Sequence, residues 1–208
     1  MRKMYDDKKA EKRINLSGIA FVCFIAVLIF VEVGAGNIDL TLNSLISKMH
    51  SSFLDGPLYV LTHLFDAFIF IVLCVLVSAL LFWKKRKEEL ALFVLCISSG
   101  VVISEVIKLL VQRARSSAYL ITETGFSFPS SHAVAVTLFT LFIIFLCENN
   151  IKNIKFNKAI YVLGWILIIL VSFSRVYFSV HWTSDVVGGV LFGVAWFNLV
   201  IGVYEKFF

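Results

Sequence analysis

Six stretches of this chain are long and apolar enough to cross a membrane: about 15–35, 57–83, 90–112, 130–147, 159–178 and 184–204. A helical crossing needs about 20 apolar residues. The chain is 60% hydrophobic over 208 residues and holds two prolines, whereas a soluble domain is roughly 45–50% apolar. The connections are too short for a second domain, and neither an internal repeat nor a low-complexity tract appears. The expectation is an all-α integral membrane bundle of six transmembrane helices, one domain over residues 1–208.

The basic residues are sorted by side. Arg2, Lys3, Lys8, Lys9, Lys12 and Arg13 precede the first stretch. Lys84, Lys85, Arg86 and Lys87 lie between the second and third, Lys152, Lys155 and Lys158 between the fourth and fifth, and Lys206 follows the sixth. With six crossings all of these fall on one side, which the positive-inside rule makes cytoplasmic. Both termini are then inside, and the net charge of +5 needs no nucleic acid to explain it. The other Lys and Arg are Lys48, Lys108, Arg113, Arg115 and Arg175. All but Lys48 gather at the outer ends of stretches, against the charge rule, which points to an anion bound there.

The remaining features are modest. The first stretch is too long for a signal peptide and lacks a convincing cleavage site, so it reads as an uncleaved anchor. Cys23, Cys74, Cys96 and Cys147 are scattered, without metal-ligand spacing, and read as packing residues. In the first outer loop, 36–56, Leu40, Leu42, Leu45, Ile46, Met49 and Phe53 recur at helical spacing. That predicts a short amphipathic helix at the membrane surface, a packing element or a gate. The run from Trp83 to Glu89 is a cytoplasmic turn at headgroup level.

Three polar clusters stand out against this background. Ionisable groups beside a bilayer are costly and mark function by default. Lys108 and Arg115 are seven apart and share a face if the helix persists that far; alone they would read as side chains snorkelling to headgroups. Pro129-Ser130-Ser131-His132 opens the fourth stretch, with proline suited to the first helical turn. Serine there is an ordinary cap, but the free N–H groups and dipole of a helix start also bind anions, and capping does not call for His132. Ser174-Arg175 ends the fifth stretch, and His181 and Asp185 begin the sixth at i and i+4. A carboxylate so placed fixes the imidazole tautomer and leaves the other nitrogen free to attack. Glu105, one turn before Lys108, is expected to neutralise it. His63 and Asp66, at i and i+3 near the outer end of the second stretch, are expected to support the site from behind or to bond loop backbone.

Together the clusters spell Lys-x6-Arg, Pro-Ser-x-His and Ser-Arg-x5-His-x3-Asp. This resembles the type-2 phosphatidic acid phosphatase superfamily, membrane lipid phosphate phosphatases related to vanadium haloperoxidases. The motifs cover the second half of the chain. Two positions depart from the family pattern: Ser116 replaces the usual proline, and Ser131 the usual glycine. Glycine would allow the closest backbone approach to phosphate, yet neither change removes a group the chemistry needs.

The resemblance implies a covalent mechanism. His181 attacks phosphorus, Asp185 orients it, and His132 protonates the leaving oxygen and then activates water. Lys108, Arg115, Ser130 and Arg175 hold the phosphoryl oxygens, assisted by the Ser131 N–H. Fixed donors suit a transition state whose charge lies on equatorial oxygens, so no cofactor or metal is implied, and the sequence offers no carboxylate cluster for magnesium. The expected partners are the bilayer and a lipid phosphate, either undecaprenyl diphosphate of cell-wall synthesis or phosphatidylglycerophosphate or phosphatidic acid of phospholipid metabolism. The expected location is a prokaryotic cell membrane with the site facing outward. A lipid phosphotransferase, or a non-catalytic binder of anionic lipids, are the competing readings.

Overall fold

The computed structural model describes residues 2–116, 121 and 123–207, with side chains from Asp7 onward. Ser117 to Leu120 and Thr122, which belong to the expected second outer loop, lie outside the described residues. Eight helices run in order: α1 (Arg2–Gly34), α2 (Gly36–Ser47), α3 (Ser52–His63), α4 (Ala67–Trp83), α5 (Lys87–Val111), α6 (Ser131–Asn150), α7 (Ile154–Tyr177) and α8 (Thr183–Phe207). No strand occurs among the described residues. Helices α1, α5, α6, α7 and α8 are each long and apolar enough to span, and α3 with α4 makes a sixth span bent by 58°.

The bend corrects the expected unbroken stretch at 57–83. The Asp66 N–H turns back to the His63 carbonyl at 3.1 Å, and a new helix starts when Phe70 N–H bonds the Asp66 carbonyl at 2.8 Å. Aspartate favours helix starts. Its side chain is free for other work here, because it does not cap α4.

α6 is the most enclosed span and α1 the least. α8 lies against α6 through Gly189 and Gly193. A Cβ on Gly189 would stand 2.8 Å from both Ala133 Cβ and the Ser130 carbonyl oxygen, and one on Gly193 2.7 Å from Thr137 Cβ. Small residues one turn apart are how membrane helices come close. The consequence is local: the start of α6, with Ser130 and His132, is pressed against the start of α8, with Asp185. The Ser130 N–H bonds the Asp185 carbonyl at 3.0 Å.

α1 runs antiparallel along α8. Arg13 pairs with Glu205 at 3.0 Å, and Ser17 Oγ donates to the Ala195 carbonyl at 2.8 Å. Phe24, further along, meets Phe192. Outward faces are apolar, as with Ile19, Val22 and Val33 on α1, which suits a hydrocarbon surround.

The expected loop helix exists as α2, but its orientation is inverted relative to a soluble amphipathic helix. Its buried residues are Asp39 and Asn43, while Leu40, Leu42 and Leu45 are exposed. The polar side docks on the protein.

Candidate active site

Every predicted site residue lies at the ends of α3, α5, α6, α7 and α8 or in the segments joining them. His181 is 1% exposed and sits between α7 and α8, two residues before the helix rather than on it. Its Nδ1 is 3.4 Å from Asp185 Oδ2, close but not a hydrogen bond. Its Nε2 faces Arg115 Nη1 at 3.2 Å. Burial, then the charges of Arg175 and Arg115, hold the imidazole well below the usual histidine range. This favours the neutral ring, whose Nε2 lone pair accepts from Arg115.

Arg115 does not reach this place along a helix. α5 ends at Val111, and Gln112 adopts a left-handed conformation at φ 51°. The expected shared face of Lys108 and Arg115 is thus replaced by a turn and an irregular segment. Arg115 is pinned there by its own donors, which bond the carbonyls of Val180 (2.9 Å), Gly125 (3.0 Å) and Thr124 (3.1 Å). Lys108 stays on the helix and contacts Glu105 Oε1 at 3.1 Å and Ser131 Oγ. Ser131 Oγ also donates to Glu105 at 2.6 Å. The serine that replaces the family glycine is therefore tied into the Lys108–Glu105 pair.

Pro129 precedes the helix in a cis peptide, rather than occupying its first turn as expected, and Ser130 takes the N-cap position. Ser130 Oγ is buried with no hydrogen-bond partner among the described residues. His132 Nε2 contacts Asp66 Oδ1 at 2.8 Å, and the other Asp66 oxygen is 2.5 Å from His63 Nδ1. The bend between α3 and α4 thus delivers a carboxylate to one histidine of the pair, as Asp185 serves the other. Arg175 is fully buried; its Nη1 donates to Thr62 Oγ1 at 2.8 Å and its Nη2 contacts Glu123.

Four participants were not singled out by sequence. Glu123 lies between Arg175 and Arg115, 4.0 Å from the latter. Burial pushes its carboxyl up, but the charge and hydrogen bond of Arg175 outweigh this and hold it below the usual range. Arg113, noted only as a neighbour of the clusters, bridges Asp185 at 2.5 Å and Asp39 at 2.6 Å. Asn43 donates to the His181 carbonyl at 3.0 Å. The one available hint was a pair of polar residues, Asp39 and Asn43, one turn apart on the loop helix. Asp66, Glu123 and His132 also bring ligating atoms within 4.8 Å of one another. The spacing of these residues in the chain did not mark this grouping; Asp66 is also engaged with His63 and Glu123 with Arg175, while His132 bonds within the group to Asp66.

The family model for the PAP2 superfamily matches residues 89–208. The chain belongs to the PAP2 superfamily. Among PAP2 relatives, phosphatidylglycerophosphatase B of Bacillus subtilis is 32% identical over 148 residues, covering 70% of this chain and 73% of that one. Undecaprenyl-diphosphatase of Sulfolobus acidocaldarius is 27% identical over 194 residues, covering 88% and 87%. The crystal structure of a transmembrane PAP2 type phosphatidylglycerolphosphate phosphatase from Bacillus subtilis superposes with TM-score 0.84 at 26% identity, covering 92% of this chain and 97% of that one. LpxE of Aquifex aeolicus, at 20% identity and TM-score 0.63 over 78% and 93%, shares the fold. With its apolar spans, the chain is an integral membrane member of this phosphatase superfamily.

Proposed function

We propose that the protein hydrolyses a lipid phosphate or diphosphate through a phosphohistidine intermediate, at the outer face of the membrane, without a metal ion. The observation that carries this reading is the arrangement around His181. One ring nitrogen lies beside Asp185 and the other accepts from Arg115, so a phosphoryl group drawing that guanidinium to its oxygens would stand in front of the Nε2 lone pair.

In the first step His181 Nε2 bonds to phosphorus and the bond to the lipid oxygen breaks. His132 gives that oxygen its proton, and the lipid leaves as an alcohol or, from a diphosphate, as a monophosphate. In the second step water attacks the phosphohistidine, His132 takes the proton, and inorganic phosphate leaves. Lys108, Arg115, Arg175, Ser130 and the Ser131 N–H hold the phosphoryl oxygens through both steps. Such preorganised donors are the main requirement of phosphoryl transfer. Asp66 supports His132 by holding Nε2, which leaves Nδ1 to serve the leaving group.

Two further observations support a lipid substrate. A cleft of about 710 Å³ between α4 and α5 starts at Ala67, next to Asp66, and continues to Phe82 between apolar walls that include Phe70, Val75, Phe93 and Ile97. The relatives named above are a phosphatidylglycerophosphatase and an undecaprenyl-diphosphatase, which makes these two lipids the first to test. The outward site rests on the positive-inside distribution of Lys and Arg.

The test is phosphate release by purified protein in detergent–lipid micelles with excess EDTA. Undecaprenyl diphosphate, phosphatidylglycerophosphate and phosphatidic acid are offered separately, with His181→Ala as control. Release that survives EDTA and is lost in the variant supports the proposal. Loss of substrate phosphate only when an acceptor lipid is present, with the phosphate recovered on that acceptor and none released, would identify a transferase. Undiminished activity in His181→Ala would overturn the mechanism.

A further inference from the structure

The outer-loop helix α2 grips the nucleophile segment. Asp39 and Asn43 are 1% and 7% exposed, whereas Leu40 and Leu45 are 57% and 54% exposed. A helix that docks by its polar side must repay two desolvated polar groups with well-made bonds. It does so on one short target. Asn43 Nδ2 donates to the His181 carbonyl at 3.0 Å, and its Oδ1 accepts from Thr183 N–H at 3.2 Å and Thr183 Oγ1 at 3.0 Å. Asp39 accepts from Ser184 N–H at 3.0 Å and Ser184 Oγ at 2.5 Å. The segment between the nucleophile and its carboxylate partner is thus held from one face of α2.

Arg113 closes the arrangement. Its Nη2 meets Asp39 Oδ2 at 2.6 Å, and its Nη1 meets Asp185 Oδ1 at 2.5 Å and Ser184 Oγ at 2.7 Å. The second oxygen of Asp185 accepts the Trp182 N–H at 2.9 Å and is the one facing His181. With Oδ1 fixed by a guanidinium, the carboxylate cannot turn its Oδ2 away from the imidazole without breaking a charged bond. The pair Asp39 and Asp185 carries two negative charges against one positive. The remaining negative charge sits beside the ring that becomes cationic when phosphorus bonds to it. A lysine cannot reproduce this, because the bridge uses both arms of a planar fork.

We propose that Arg113, Asp39 and Asn43 are positioning residues for the nucleophile: they set the Asp185–His181 geometry and thereby the rate of phosphoenzyme formation. The inference rests on the reading of His181 as nucleophile. It makes α2 a fixed part of the catalytic apparatus instead of a gate.

The experiment compares wild type, His181→Ala, Arg113→Gly, Arg113→Lys and Asn43→Ala in the phosphate-release assay, with kcat and KM separated and with added guanidinium ion. Misplacement of reacting groups costs about 10²-fold, so Arg113→Gly is expected to lose that in kcat, with KM little changed and partial rescue by guanidinium. Arg113→Lys retains the charge for folding and is expected to lose kcat at unchanged KM. Asn43→Ala follows in the same direction, by roughly tenfold for a smaller displacement. Unchanged kcat in Arg113→Lys and Asn43→Ala overturns the proposal. So does a loss shared by kcat, KM and melting temperature that guanidinium does not relieve, which would mark a merely structural role. A wild type that releases no phosphate overturns the functional reading and this inference with it. An active wild type, silenced by His181→Ala but indifferent at Arg113, overturns the inference alone.

Discussion

Substituting Gly189 by alanine should separate the two halves of the site. The added Cβ would stand 2.8 Å from the Ser130 carbonyl oxygen and from Ala133 Cβ, and 3.4 Å from Val134 N. Two of these are backbone atoms of the first turn of α6, so no flexible side chain can swing away. Non-bonded carbon contacts settle near 3.5–4.0 Å, so the helices must part by roughly half an ångström or more. Overpacking of this kind costs about 1–3 kcal/mol. The shift falls on Ser130, whose N–H bonds the Asp185 carbonyl at 3.0 Å. Ser130 and Asp185, proposed above to hold phosphate and to orient the nucleophile, would move apart, and a displacement approaching 1 Å costs about 10²-fold in rate. The assay is kcat for phosphate release beside the melting temperature in the same detergent. The control is Gly56→Ala, where an added Cβ meets nothing within 4 Å. Wild-type kcat and melting in Gly189→Ala would refute the view that this crossing sets the site geometry.

Asp66→Asn should lower kcat by about 10²–10⁴-fold, the range lost with a general acid, while His63→Gln, one step further from His132, should cost less; steady-state phosphate release measures both. Folding stability should fall with acidification below about pH 6.5, because unfolded His181 takes up a proton there that the folded chain resists. The loss is up to ~1.4 kcal/mol per pH unit, ends once the depressed folded-state value is passed, and should shrink in His181→Asn when melting is followed against pH. Activity should persist after exhaustive chelation, whereas a requirement for added divalent cation would direct attention to Asp66, Glu123 and His132.

The apolar stretches and the spacing of Lys108, Arg115, His132, Arg175, His181 and Asp185 were readable because both are local properties of the chain. The bend between α3 and α4 was not, since a hydropathy window averages Asp66 into the apolar residues on either side. The end of α5 was hidden for a related reason: Gln112 turns left-handed in a stretch whose composition is still that of a helix end. Glu123 and Arg113 gain their roles only from residues 52 and 72 positions away. α2 misleads most directly. In water its leucines would mark the docking face, but beside lipid they can point outward at no cost, and the rare polar residues mark the contact instead.

The pairing of α1 with α8 bears on how the protein is made. Of the helices described, α1 leaves the ribosome before the others, yet its principal partner is α8, which leaves after them, through Arg13–Glu205, Ser17–Ala195 and Phe24–Phe192. Throughout synthesis α1 must therefore wait in the bilayer with lipid where α8 will lie, its Ser17 hydroxyl unmatched. Closure of the bundle, and with it the seating of Asp185 against Arg113, therefore follows synthesis of the other seven described helices. A nascent chain arrested before α8 would hold Lys108, Arg115, Arg175 and His181 but neither Asp185 nor the glycine face against which the start of α6 is pressed.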